Sequence, residues 1–154
     1  TVSALRNILD NAANGIPAYV VEKAERISEN HRRSIQMYYA AGGNIAMGTD
    51  AGTPFNKHGA NAMELEFMAN LGIKPIDALR SGTSISADLM DLSDQGRIKA
   101  GNAADFLVVD GNPAIDIQMA SRLENHRLVI KGGTPITGQP AHMPSPNFQR
   151  MAAF

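Results

Sequence analysis

Apolar residues in the first third of the chain recur at helical spacing. Leu5, Ile8, Leu9, Ala12 and Ala13 predict a helix that Asn14-Gly15 stops. Ile16-Pro17 restarts the chain. Val20, Val21, Ala24, Ile27, Ile35 and Tyr38 then lie roughly on one stripe, with Glu22, Lys23, Glu25, Arg26, Arg32 and Arg33 elsewhere as a solvated face. Ala41-Gly42-Gly43 ends this long helix. The pattern changes at residues 44–49, Asn-Ile-Ala-Met-Gly-Thr, which are largely apolar and do not alternate. Such a segment predicts a strand buried on both faces, as parallel strands are when helices cover them. It runs into the polar loop Asp50-Ala51-Gly52-Thr53-Pro54. Helix, glycine turn, buried strand and loop together read as an α/β unit.

Three shorter helices are predicted next. Asn61 caps the first, with Glu64 placed to reach back to the Asn61 amide, and Met63, Phe67 and Leu71 form its buried stripe. Pro75 opens the second, which carries Ile76, Ala78 and Leu79. Thr83 caps the third, with Ile85, Leu89 and Met90. From Ser93 onward turns and short strands take over: Asp94-Gln95-Gly96-Arg97, Lys99-Ala100-Gly101-Asn102, then strands over 106–109 and 128–130, with Gly132-Gly133 suited to a turn. The chain thus divides into a helical unit over 1–92, a strand-rich unit over 93–136 and an irregular, proline-containing tail over 137–154.

Composition narrows the function classes. Of 154 residues, 44% are hydrophobic and 19% charged, so the chain can build a core and is not a disordered segment. Fourteen Lys and Arg against fifteen Asp and Glu leave a net charge of −1, which provides no basic face for nucleic acid. No apolar run reaches membrane-span length; the longest, Ile16 to Val21, has six residues and contains Pro17. There is no signal-peptide pattern. The absence of cysteine removes disulfides, thiolate metal clusters and a cysteine nucleophile, without choosing a compartment.

Few residues are left that can do chemistry. The four histidines, His31, His58, His126 and His142, show no pair at metal-binding spacing. His31, between Asn30 and Arg32, reads as a surface residue, and His126 and His142 have no partner in the sequence. Asp50 stands out because it follows the carboxyl end of an apolar strand, where α/β folds place ligands and catalytic groups. Position alone leaves two readings open. A carboxylate there can bind a divalent metal and take a proton from water, or it can accept hydrogen bonds from the Gly52 and Thr53 amides, as loop aspartates do. His58 follows eight residues later in the same loop, close enough to face the same cleft. The glycine pairs at 42–43 and 132–133 lack the spacing of a phosphate-binding loop.

The run Gly48-Thr49-Asp50-Ala51-Gly52-Thr53-Pro54, followed by His58-Gly59, Glu64-Leu65-Glu66 and residues 73–79, resembles the amidohydrolase superfamily. Within it, the imidazolonepropionase-like and Xaa-Pro dipeptidase-like branch is the most similar. The resemblance continues through residues 96–110 and closes at 129–133, covering about residue 20 to residue 135. It implies a metal-dependent hydrolase, α/β in class, with this chain forming the C-terminal part of a (β/α)₈ TIM-like barrel plus part of a small β-sandwich. Residues 44–49 would be the last barrel strand. Asp50 matches the aspartate that contacts the metal and activates the hydrolytic water, and His58 matches a loop histidine that helps bind substrate. The implied cofactor is a divalent metal, zinc above all, as one or two ions.

The chain also departs from that family. A complete barrel of this kind takes roughly 250 residues. The family's His-x-His pair, bridging lysine and mid-barrel histidines have no counterpart here, and part of its sandwich comes from an amino-terminal segment. The expected parent is therefore a longer amidohydrolase, a reading that the opening Thr1 favours. A two-chain enzyme or a self-assembling fragment are the other options. The expected function is hydrolysis of a C–N bond in a dipeptide such as Xaa-Pro or in an N-acyl amino acid, with a cyclic amide as the neighbouring alternative. A rival class is that the chain alone is a non-catalytic structural or interaction piece. Expected partners are the small-molecule or dipeptide substrate, the missing N-terminal part of the enzyme, and a second copy in a homo-oligomer.

Overall fold

The computed structural model describes residues 1–137. The expected tail, from residue 138 on, and His142 with it, lies outside them. Six helices and three strands follow in the order α1 (Ser3–Asp10), α2 (Ala18–Ala40), α3 (Met63–Asn70), α4 (Pro75–Ser81), α5 (Ser84–Leu89), β1 (Phe106–Val109), α6 (Gln118–Ser121), β2 (His126–Lys131) and β3 (Thr134–Thr137). No helix is long and apolar enough to cross a membrane among the described residues.

Helix α2 begins after Pro17, whose fixed φ of −57° leads into the first turn, and it ends at Ala41 with Gly42 at φ +79°. Its buried face differs from the expected stripe. Ala24 is buried and Val21, Ser28, His31, Ile35 and Tyr39 are half-buried, a run with steps of three and four, whereas Ile27 and Tyr38 face outward. The turn through Asn14-Gly15, with Gly15 at φ +87°, folds α1 back against α2. This sets the face that contact selects, and His31 comes off the surface with it.

The core is formed by Leu65 and Met68 of α3, Ile73, Ala78 of α4, Ile117 and Ala120 of α6, with Ile35, Tyr39, Ile45, Met47, Ala69 and Leu79 packed around them. Helix α3 is enclosed on more sides than an amphipathic pattern allows. Leu65 and Met68, rather than Met63, Phe67 and Leu71, are its deepest apolar residues, and Glu64 and Glu66 are buried too. The expected capping box is absent. Glu64 instead accepts hydrogen bonds from the Val2 amide at 2.6 Å, the Ser3 amide at 2.7 Å and the Ser3 hydroxyl, so its carboxylate closes the start of α1 from a distant point in the chain. Ile76, Leu89 and Met90, carried by the two helices that follow, are exposed.

Residues 44–49 do not form a strand with a neighbour among the described residues. Ile45 and Met47 point into the core and the Met47 amide donates to the Ser81 carbonyl at 3.0 Å, but Asn44 and Gly48 are exposed. A parallel strand needs other strands beside it to bury both faces, and none lies there.

The second half forms a three-stranded antiparallel sheet in the order β1-β2-β3. Leu107 pairs with Val129 and Val108 with Leu128, as the apolar strand patterns imply. The sequence pattern does not predict strand β3. It follows Gly132 and Gly133, both at positive φ (55° and 79°), the conformation a tight hairpin turn requires, and Pro135 is tolerated because β3 is an edge strand here. Helix α6 carries this half onto the first: Arg122 Nε and Nη2 meet the two Glu66 oxygens at 2.9 and 3.1 Å, and the Ser121 hydroxyl donates to the same carboxylate.

Candidate active-site loop

The core-anchored segment delivers the chain to Asp50, and there it turns sharply. Asp50 adopts φ +56°, a left-handed conformation that aspartate tolerates better than most residues. What holds it is Asn56, which is buried. Its Nδ2 donates to the Thr49 carbonyl at 2.6 Å, to the Asp50 carbonyl at 3.1 Å and to the Thr53 hydroxyl at 3.3 Å. The Asn56 carbonyl accepts from the Gly52 amide at 2.8 Å, and its amide donates to the Thr53 carbonyl at 2.9 Å. The Thr53 hydroxyl and amide both turn back to the Asp50 carbonyl, at 3.0 and 3.4 Å. The loop is thus closed by main-chain groups, the Asn56 amide side chain and the Thr53 hydroxyl.

This wiring leaves the Asp50 carboxylate out of the loop's hydrogen bonds. The Gly52 amide is taken by Asn56 and the Thr53 amide by the main-chain oxygen of Asp50, so neither goes to the carboxylate. Among the described residues no hydrogen bond or ion pair reaches that carboxylate, and the residue is exposed. It is free to act on something outside the chain. His58 belongs to the same loop: its Nε2 lies 3.5 Å from the point a Cβ on Gly52 would occupy, and Gly52 sits at φ +103°. The structure therefore places Asp50 and His58 on one loop, with the His58 ring beside Gly52.

The remaining histidines stand elsewhere. His31 faces a small apolar depression beside Leu5, Leu9 and Leu71, and the His126 ring is held by the Ala120 carbonyl at 2.9 Å. Both serve packing between elements. The described residues contain no group of three or more His, Asp or Glu able to hold a metal ion. A zinc site takes about three or four protein ligands, so one carboxylate and one imidazole do not make one, and the chain as described does not fit a complete metal centre. Asn56 was missed at the sequence level, because an asparagine in a polar loop gives no sign that it will be buried.

Helices packed on a core-anchored segment, a polar loop at the carboxyl end of that segment and a small three-stranded antiparallel sheet make up the described α/β unit. Residues 3–136 match the amidohydrolase family, and the chain belongs to it. Ochratoxinase from Aspergillus niger is 26% identical over 143 residues, spanning 90% of this chain and 28% of that enzyme. Its crystal structure superposes with a TM-score of 0.70. A Xaa-Pro dipeptidase with bound methionine in its active site is 34% identical, with a TM-score of 0.77 over 89% of this chain and 33% of its own. A prolidase complexed with N-methylphosphonate-L-proline is 25% identical, with a TM-score of 0.78 over 90% of this chain and 34% of its own. The chain thus spans about a third or less of the length of these relatives.

Proposed function

We propose that the whole protein hydrolyses the C–N bond of a dipeptide such as Xaa-Pro, or of an N-acyl amino acid, with Asp50 as general base. The observation that carries this reading is the free, exposed carboxylate of Asp50 on a strained turn at the end of a core-anchored segment. In the proposed reaction Asp50 takes a proton from the attacking water, the water oxygen bonds to the amide carbon, and the carboxyl returns the proton to the leaving nitrogen as the C–N bond breaks. His58, on the same face, binds the substrate. The dipeptidase and prolidase relatives support a dipeptide. The ochratoxinase relative supports a wider amide range, and a cyclic amide is the alternative within the class.

In this reading residues 1–92 belong to a (β/α)₈ barrel, with 44–49 as its last strand, and 93–136 to a β-sandwich. The rest of both, and the ligands of a divalent metal such as zinc, come from a further part of the enzyme or a companion chain. The 154-residue chain alone is then non-catalytic. The test is steady-state hydrolysis by the whole enzyme over a panel of Xaa-Pro dipeptides, N-acyl amino acids and cyclic amides, with the Asp50→Asn variant beside it. Turnover falling by about 100- to 10,000-fold is expected; a variant of near-normal rate sinks the assignment, and the panel ranks the substrates.

A further inference from the structure

The general-base reading of Asp50 leaves open what aims that carboxylate, and the loop contains a device for it. Asp50 is not held by its own side chain. It is a non-glycine residue at φ +56°, a backbone state that reverts to ordinary values unless its surroundings over-determine it. Its main-chain oxygen is the most heavily used acceptor in the loop, taking the Asn56 amide at 3.1 Å, the Thr53 hydroxyl at 3.0 Å and the Thr53 amide at 3.4 Å. Asn56 also grips the preceding carbonyl, Thr49, at 2.6 Å, so one buried amide fixes the peptides on both sides of the Asp50 Cα. Two carbonyls turned toward the same nitrogen require a donor. No side chain of similar size and opposite hydrogen-bonding character could take its place.

We infer that Asn56 is the positioning residue of the active-site loop: its side-chain amide, by bonding the Thr49 and Asp50 carbonyls, holds Asp50 in the left-handed conformation that presents its free carboxylate to the substrate. This rests on the reading of Asp50 as the general base. Asn56 itself touches no reacting atom and acts only through Asp50. Replacing the amide by a carboxylate sets an acceptor against two carbonyls, and removing it lets the turn relax. Either displaces the carboxylate without altering the acid itself.

The test is a double-mutant cycle in the whole enzyme, followed on a Xaa-Pro dipeptide, with Asn56→Ala, Asp50→Asn and the pair. Asn56→Ala is expected to lower kcat by about 10- to 100-fold, the cost of a misaimed catalytic group, with KM changed by less than about threefold. The pair is expected to be no slower than Asp50→Asn alone. A merely structural asparagine would lower both backgrounds by the same factor, and that additivity overturns the inference, as does near-normal kcat in Asn56→Ala. Near-normal turnover in Asp50→Asn refutes the general-base reading instead, and is recognised because Asn56 is untouched in that variant. Should Asn56→Ala fail to fold, Asn56→Ser, which keeps a short donor toward Thr49, carries the same comparison.

Discussion

Asp50, Gly52 and Asn56 each answer a different requirement of one turn. Asp50 supplies the carboxylate, Asn56 the donor that closes the loop, and Gly52 the backbone freedom and the empty space into which His58 leans. At φ +103° a side chain at position 52 is strained whatever room it has, and its Cβ would meet His58 Nε2 at 3.5 Å. Gly52→Ala is therefore expected to destabilise the loop by about 1–3 kcal/mol through backbone strain, read as a lower melting temperature. Asp50 and His58 stand out in the sequence as candidates because one follows an apolar segment and the other lies in the same loop. Asn56 does not, since its value lies in burial and in which carbonyls surround it.

Among the elements, two buried glutamates of α3 tie the chain together. Glu64 closes the first turn of α1, so Glu64→Ala leaves the Val2 and Ser3 amides without their acceptor and is expected to cost about 2 kcal/mol. Amide exchange in α1 should accelerate before exchange in α3. Glu66 joins α3 to α6. The Arg122 guanidinium bonded to it holds its carboxyl below the usual carboxylate range, burial opposes this, and the Ser121 hydroxyl adds to the lowering. A carboxyl with a folded value below its unfolded one stabilises the fold above the ordinary glutamate range, and that contribution is lost as pH falls through the lowered value. Acid titration followed by circular dichroism should show an earlier loss of structure for Arg122→Ala than for the unaltered chain. An unchanged acid midpoint would mean that the Glu66–Arg122 pair adds nothing to the docking of α6. Helices α1 to α5 and strands β1 and β2 were readable from periodicity and turn residues, whereas α6 and β3 were not. Nor were the buried face of α2 and the distant partners of Glu64 and Glu66, because each is set by which element lies alongside.

At the scale of the whole molecule, many large apolar side chains stand exposed among the described residues. Ile98 is 88% exposed, Ile115 78%, Leu89 74%, Tyr19 72% and Leu123 70%. Surface of this kind is expected to drive self-association of the 154-residue chain in isolation, visible as species heavier than 16.4 kDa in sedimentation. A monodisperse monomer would count against the reading that further barrel and sandwich elements cover these residues. Zinc titration of the same chain by calorimetry is expected to show no tight site, since the described residues supply too few convergent ligands.

The sequence by itself determined the α/β grammar of helix, glycine turn, apolar segment and polar loop, the position of β1, and the amidohydrolase resemblance around Gly48 to Gly59. These follow from local propensity and residue type, which travel with the chain. Only the tertiary structure decided that residues 44–49 dock on α4 without a strand beside them, that β3 completes the sheet, and that the Asp50 carboxylate stands free while Asn56 takes up the loop's hydrogen bonds. Each of these is a choice of partner between groups brought together in space, and a partner is a property of the fold rather than of any residue alone.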